Sequence, residues 1–141
     1  AGNRINEVDN HVFKESSRIN STFGGNLIDM VRFTIYLELI EKENLIEKAA
    51  ENGAYLLSQL LEVQNSSQGL VSNSRGRGLF CAYDLPTPGH RDQLIQNMEK
   101  EGAIILGCGH SSIRFRPHLN ISKDEIDQAI CMMKNSLASL Q

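Results

Sequence analysis

The stretch 103-AIILGCGHSSIRFRP-117 decides the fold. Ala103–Leu106 is a short apolar run, Gly107–Ser111 reads as a turn, and Ile113–Arg116 alternates apolar with cationic residues. Two such runs joined by a glycine-containing turn predict a β-hairpin whose second strand has two different faces. A period of two sends Ile113 and Phe115 to one side and Arg114 and Arg116 to the other. Pro117 ends that strand, because proline has no N–H to give to a ladder.

On the C-terminal side of the hairpin, Ser122 and Glu125 have the S-x-x-E spacing of a capping box. Behind them Ile126, Ala129, Ile130, Met133, Leu137 and Leu140 recur at helical steps. On the N-terminal side Thr87 can cap a helix with Pro88 in its first position, Leu94, Ile95 and Met98 inside, and Gly102 as its stop. Before it stands 70-LVSNSRGRGLFCAYDL-85, whose second half is rich in β-formers. A strand is expected from about Gly78 to Asp84, with Gly76 and Gly78 marking a bulge or close backbone packing.

Further upstream lie two helical registers. Leu27, Ile28, Val31, Ile35, Leu39 and Ile40 form the first, capped by Asn26. Leu45/Ile46, Ala49/Ala50, Gly53, Leu56/Leu57 and Leu60/Leu61 form the second, which dies in the loop-like NSSQG of residues 65–69. Asn44 with Glu47 resembles another capping box, so a bend is expected near residues 43–44. Residues 1–20 show no period and read as loop or short extended pieces. The order of two helices, strand, helix, two strands and helix predicts an α+β fold, a small mainly antiparallel sheet with helices on one face.

At 141 residues, 40% apolar and 22% charged, the chain is long enough for one core and has a globular composition. A net charge of −3 argues against a general nucleic-acid surface, and the single RGRG run is too short to be an RNA-binding tract. Cys81, Cys108 and Cys131 are odd in number and scattered, as expected of free thiols in the cytoplasm. The four histidines show no ligand spacing, and Cys108 with His110 lacks further ligands, so no metal is expected. Neither a membrane span nor a secretory signal is legible. The opening AGNRINEVDN carries no initiator Met, and the chain is expected to continue upstream.

Two places suit an anion. In 18-RINSTFGGNLIDMV-31, Asn20, Ser21, Thr22 and the Gly24–Gly25 pair stand before a helix start. Hydroxyls, backbone N–H groups and the positive end of a helix dipole together suit a phosphate, although an ordinary capped helix reads the same way. Arg114 and Arg116 on one strand face suit a carboxylate, although they could equally be surface arginines paired with local acids. No nucleophile–base pair accompanies either place. Anion grips without a reactive group suit part of a cofactor enzyme.

The segments STFGGN (Ser21–Asn26), RGRGL (Arg75–Leu79) and IRFRP (Ile113–Pro117) resemble the C-terminal part of class III pyridoxal-phosphate aminotransferases. The longer runs NRINEVDNHVF (Asn3–Phe13), SRINSTFGGNLIDMVR (Ser17–Arg32), RGRGLFCAYDLP (Arg75–Pro86) and GCGHSSIRFRPHLNIS (Gly107–Ser122) are similar to members acting on the terminal amine of L-lysine. Leu27 after GGN, where relatives for ornithine or 4-aminobutyrate usually have proline, favours that branch.

The resemblance implies the small C-terminal domain of a fold-type I aminotransferase. Residues 1–26 would be a connecting segment from the large domain with a phosphate-contacting turn. Residues 27–64 would be a long helical segment, and residues 70–141 the small domain. The implied cofactor is pyridoxal 5'-phosphate, with Thr22 and Ser21 reaching the phosphate held by the other subunit of a homodimer. Asn20 would lie beside the substrate, and Arg114 would take the carboxylate of 2-oxoglutarate or glutamate. His118 departs from the family's usual Pro-Pro after this strand. The lysine that carries the cofactor and the aspartate facing its pyridine nitrogen lie upstream of the segment resembling Ala1–Asn10. Lys14, Lys42, Lys48, Lys100, Lys123 and Lys134 match no such motif. The chain by itself is therefore expected to hold no catalytic residue, to bind no cofactor and to be inactive. The implied reaction moves the ε-amino group of L-lysine to 2-oxoglutarate, giving 2-aminoadipate 6-semialdehyde and glutamate. A 4-aminobutyrate or ornithine aminotransferase piece is the alternative within the family. A non-catalytic dimerisation or anion-binding module is the alternative outside it.

Overall fold

The hairpin forms, three residues later in its first arm than the apolar run predicts. The computed structural model describes residues 2–19 and 21–140. In it β3 is Leu106–Cys108 and β4 is Ser112–Phe115, paired antiparallel with Leu106 opposite Arg114 and Cys108 opposite Ser112. Ala103 and Ile105 are apolar because they pack against the core, and Ile105 is buried there before the chain joins the ladder. Gly109, at φ +54°, turns the chain between the strands. Since β4 ends at Phe115, Arg116 lies just past the strand.

Two more strands complete a four-stranded sheet in the order β1-β2-β4-β3. β2 (Phe80–Asp84) starts two residues later than expected and pairs antiparallel with β4, with Ala82 opposite Arg114 and Asp84 opposite Ser112. β1 (Ser72–Arg77) is a strand that the sequence reading missed. Its SNSRGR sequence has no apolar residue, and as an edge strand it buries none, so no periodicity marks it. Pairing with β2 alone makes it a strand, with a register shift between Ser72 and Arg75. The bulge therefore falls before Gly76 and Gly78, whose role is close packing. A Cβ on Gly76 would sit 2.5 Å from the Cys81 sulfur, and one on Gly53 would sit 2.1 Å from the Gly78 carbonyl carbon. Gly78 itself turns the β1–β2 hairpin at φ +54°.

The helices follow their caps. α3 (Pro88–Lys100) begins at Thr87, whose hydroxyl accepts from the His90 N–H. α4 (Lys123–Ala138) begins with the complete Ser122/Glu125 capping box. α1 (Leu27–Lys42) begins at Asn26, whose Oδ1 accepts from the Ile28 N–H at 2.9 Å. α2 (Leu45–Ser66) starts after the expected break, but the Asn44–Glu47 capping box does not form. Asn44 adopts the left-handed conformation (φ 50°, ψ 44°), which reverses the chain by backbone geometry and leaves its side chain out of the cap. Residues 3–7, expected as loop, make a turn of 3-10 helix.

The chain divides into two compact units, Ala1–Leu39 and Ile40–Gln141. In the second, α2 and α3 pack against the sheet and α4 packs against both of them, around a core that includes Leu56, Leu60, Tyr83, Leu94, Ile113, Ile126, Ile130 and Met133. Tyr83 is fully buried and its hydroxyl has no hydrogen-bond partner among the described residues, so burial pushes the phenol pKa up. In the first unit, no α1 side chain is buried. The periodic Leu27, Ile28 and Val31 are all more than half exposed.

Candidate functional site

Pairs that stand opposite in the ladder share a face, so the sheet surface away from the helices can be read from the register. It carries Arg75, Arg77, Phe80, Ala82, Asp84, Ser112, Arg114, Leu106 and Cys108. The inward residues of the same strands, Cys81, Tyr83 and Ile113, are buried under the helices. Arg114 therefore emerges on the open face with small Ala82 on one side and Leu106 on the other.

The environment of Arg114 is unusual for a guanidinium. The residue is half-buried, its Nε is sealed from solvent, and that Nε has no hydrogen-bond partner among the described residues. The ion pairs among those residues are Arg32–Asp29, Arg75–Asp84 and Arg91–Asp92, His118 lies beside Glu125, and neither Arg114 nor Arg116 takes part in any of these contacts. Of the two readings left open for this pair, local acids holding surface arginines is not what is seen. A buried donor without an acceptor is costly, and a planar carboxylate is the acceptor that the guanidinium fork fits best.

Arg114 opens onto a groove of about 630 Å³ at the β3–β4 end of the sheet, lined by Ile104, Leu106, Phe115, Pro117 and Ile121 with Arg116 and His118. His118 is fastened to the start of α4. Its Nδ1 lies 3.0 Å from Asn120 Oδ1, and its Nε2 lies 3.7 Å from Glu125 Oε1. Hydrogen bonds from the Ser122 backbone N–H and hydroxyl hold the Glu125 carboxyl below the usual carboxylate range.

Two further arrangements support this face, and the sequence reading singled out neither. Arg91 of α3 donates to the carbonyls of Gly109 (3.1 Å) and His110 (2.8 Å) and so pins the β3–β4 turn. Its side chain lies over Gly107, where a Cβ would approach to 3.1 Å. Asp84 accepts from Ser112 Oγ (2.6 Å), Asn73 Nδ2 (2.7 Å) and Arg75 (2.9 Å), which ties β1, β2 and β4 together at one carboxylate. Burial works to raise the Asp84 pKa, but these three hydrogen bonds outweigh it and hold the carboxyl below its ordinary value.

The second expected anion place belongs to the first unit. Ser21 and Thr22 are exposed in a turn closed by the Gly24 N–H on the Ser21 carbonyl (3.0 Å), with Gly25 at φ +76°. Neither hydroxyl has a hydrogen-bond partner among the described residues, so the pair has the free donors a phosphate needs. The helix start behind them is also an ordinary cap, since Asn26 already takes the Ile28 N–H. Asn20, expected beside the substrate, lies outside the described residues. Groups of three or more His, Cys, Asp or Glu able to hold a metal ion are absent among the described residues. No helix there is long and apolar enough to cross a membrane.

The family described as Aminotransferase class-III matches residues 4–137, nearly the whole chain. The chain belongs to the class III aminotransferases. It is 46% identical over 137 residues to the L-lysine-epsilon aminotransferase of Mycobacterium tuberculosis (strain ATCC 25618 / H37Rv), covering 97% of this chain and 30% of that protein. The L-lysine-epsilon aminotransferase of Amycolatopsis lactamdurans is 45% identical over 98% of the chain. The solved lysine aminotransferase from M. tuberculosis superposes on the whole chain with a TM-score of 0.91 at 45% identity, of which this chain covers 32%. An S-selective transaminase from Arthrobacter sp., at 23% identity and a TM-score of 0.80, shares the fold. This class III aminotransferase chain thus spans about a third of the length of the relatives it matches.

Proposed function

We propose that the protein to which these residues belong transfers the ε-amino group of L-lysine to 2-oxoglutarate, giving 2-aminoadipate 6-semialdehyde and glutamate. The observation that carries the reading is Arg114, a half-buried guanidinium without an acid partner, on an open sheet face beside an apolar-walled groove. In this reading it binds a carboxylate of 2-oxoglutarate or glutamate and fixes its orientation. The donor is argued from likeness. Identity is 46% to the lysine enzymes, against 35% to a probable 4-aminobutyrate aminotransferase of Caenorhabditis elegans and 37% to an ornithine aminotransferase of Halalkalibacterium halodurans.

Pyridoxal 5'-phosphate is the cofactor this reading requires, and when bound it supplies the electron sink for transamination. Thr22 and Ser21 suit its phosphate, because their hydroxyls are exposed and uncommitted. In the proposed homodimer they reach the cofactor held by the other subunit, and Asn20 lies beside the substrate. Residues 1–26 serve as the connecting segment, 27–64 as the linking helical segment and 70–141 as the small C-terminal domain. The 141 residues alone are proposed to be inactive, since none of their lysines lies in a cofactor-binding motif. A cytoplasmic location completes the proposal.

The test is a comparison of L-lysine, ornithine and 4-aminobutyrate as donors with the full-length protein, alongside Arg114→Ala. Lysine should be the preferred donor. Arg114→Ala should cost on the order of 2–5 kcal/mol in kcat/KM for 2-oxoglutarate, the loss expected on truncating one partner of a hydrogen-bonded charge pair. Preference for another donor would reassign the substrate. Unchanged 2-oxoglutarate kinetics would remove Arg114 from its role. Turnover by the 141 residues alone would refute the inactivity.

A further inference from the structure

The open sheet face poses a problem for any role of Arg114 as a carboxylate grip. Asp84 is the one carboxylate among the residues of the four strands, and it lies on that same face. Arg114 pairs with Ala82 and Asp84 pairs with Ser112, so Arg114 and Asp84 are diagonal neighbours on adjacent strands. Such neighbours stand roughly 7–8 Å apart, within reach of a side chain as long as arginine. Ala82 offers no bulk to keep them apart. Even so, the Asp84 carboxylate is taken up by other donors. It takes Arg75 at 2.9 Å, Asn73 at 2.7 Å and Ser112 at 2.6 Å, while Arg114 has no acid partner among the described residues.

We propose that Arg75 is a positioning residue that occupies Asp84 and thereby keeps the Arg114 guanidinium free for the substrate carboxylate. The proposal rests on the reading of Arg114 given above. Three donors from β1 and β4 engage both Asp84 oxygens, and Arg75 supplies the only positive charge among them. Without Arg75 the nearest uncommitted cation on the face is Arg114. Asp84 would then compete with the substrate by forming an internal ion pair. Arg77 lies on the same face two residues further along β1 and makes no ion pair among the described residues. It provides a control of equal charge that does not touch Asp84.

The experiment uses the full-length holoenzyme and two readouts, the KM for 2-oxoglutarate and the Kd for glutarate, an unreactive dicarboxylate. Arg75→Gln should raise both by roughly three- to five-fold, the size of a partly exposed ion pair, with the KM for the amino donor unchanged. Adding Asp84→Asn to Arg75→Gln should bring both back toward the wild-type values. A merely structural role of the Arg75–Asp84 pair predicts the opposite, further loss in the double variant. Arg77→Gln should leave both values unmoved. If Arg114→Gln itself leaves glutarate binding unaltered, the underlying reading of Arg114 fails. If Arg114→Gln weakens glutarate but Arg75→Gln does not, the role of Arg75 fails alone. An Arg77→Gln effect as large as that of Arg75→Gln, or a double variant that is not restored, overturns it in the same way.

Discussion

α1 and α4 are both sixteen residues long and both repeat apolar residues at helical steps, yet they end in opposite environments. α4 buries Ile126, Ile130, Met133 and Leu137 in the core, where it packs against α2 and α3, and keeps Asp124, Lys134 and Asn135 outside. α1 buries nothing, and it carries Leu27, Ile28, Met30, Val31, Phe33, Ile35, Tyr36, Leu37 and Leu39 on every side. A stripe of apolar residues is covered by one layer, whereas a helix apolar all round needs cover on several sides, which the described residues do not give to α1. Helical periodicity therefore identifies a helix without saying what, if anything, covers it.

The sharpest break in this comparison is a truncation in each helix, measured by chemical denaturation of this chain. Met133→Ala removes a side chain that is fully buried in the core. It should cost about 2–5 kcal/mol, the range for large-to-small core substitutions. A loss below 1 kcal/mol would mean that α4 is not the core helix described above.

A smaller effect belongs to the start of α4. Ser122→Ala removes the side chain that accepts the Glu125 N–H and donates to its carboxylate, and it should cost about 1 kcal/mol. The same substitution at Thr87, which caps α3 without a reciprocal carboxylate, gives the matched control.

Low pH probes the same contrast through charge. The carboxyls of Asp84 and Glu125 are held below their ordinary values, so their contribution is present above the unfolded carboxylate pKa near 4 and fades as pH falls through the folded value. The wild type should lose stability over that acidic range. Asp84→Asn should flatten part of the loss, and an identical profile would show that the Asp84 network contributes nothing. The smallest effect is expected in α1. Val31→Ala at a 61% exposed position should shift the unfolding of this chain by less than about 0.5 kcal/mol. A loss matching that of Met133→Ala would show α1 to be buried after all.

Much of the fold was legible because its signals are local. Thr87, Ser122 and Asn26 mark helix starts by hydrogen bonds that span two or three residues, and the structure places a helix behind each. Asn44 was misread as a side-chain cap, since its left-handed backbone does the work and the same residue type serves both purposes. Arg114 was legible as a candidate from the alternation of a single strand. Arg75, Asp84 and Arg91 were not, because their partners lie 9, 28 and 19 residues away in sequence.

The sequence by itself determined the helix starts, the existence of the β3–β4 hairpin, the α+β class and, through the long runs around Thr22, Arg75 and Arg114, membership of the aminotransferase family. Only the tertiary structure decided that SNSRGR is a strand, that Asp84 is held by Arg75 and Ser112, and that the Arg114 Nε is left without a partner. Caps and periodicity act over a turn of chain and are written in adjacent residues. Strand pairing and ion pairing are settled by which distant segments the fold brings side by side.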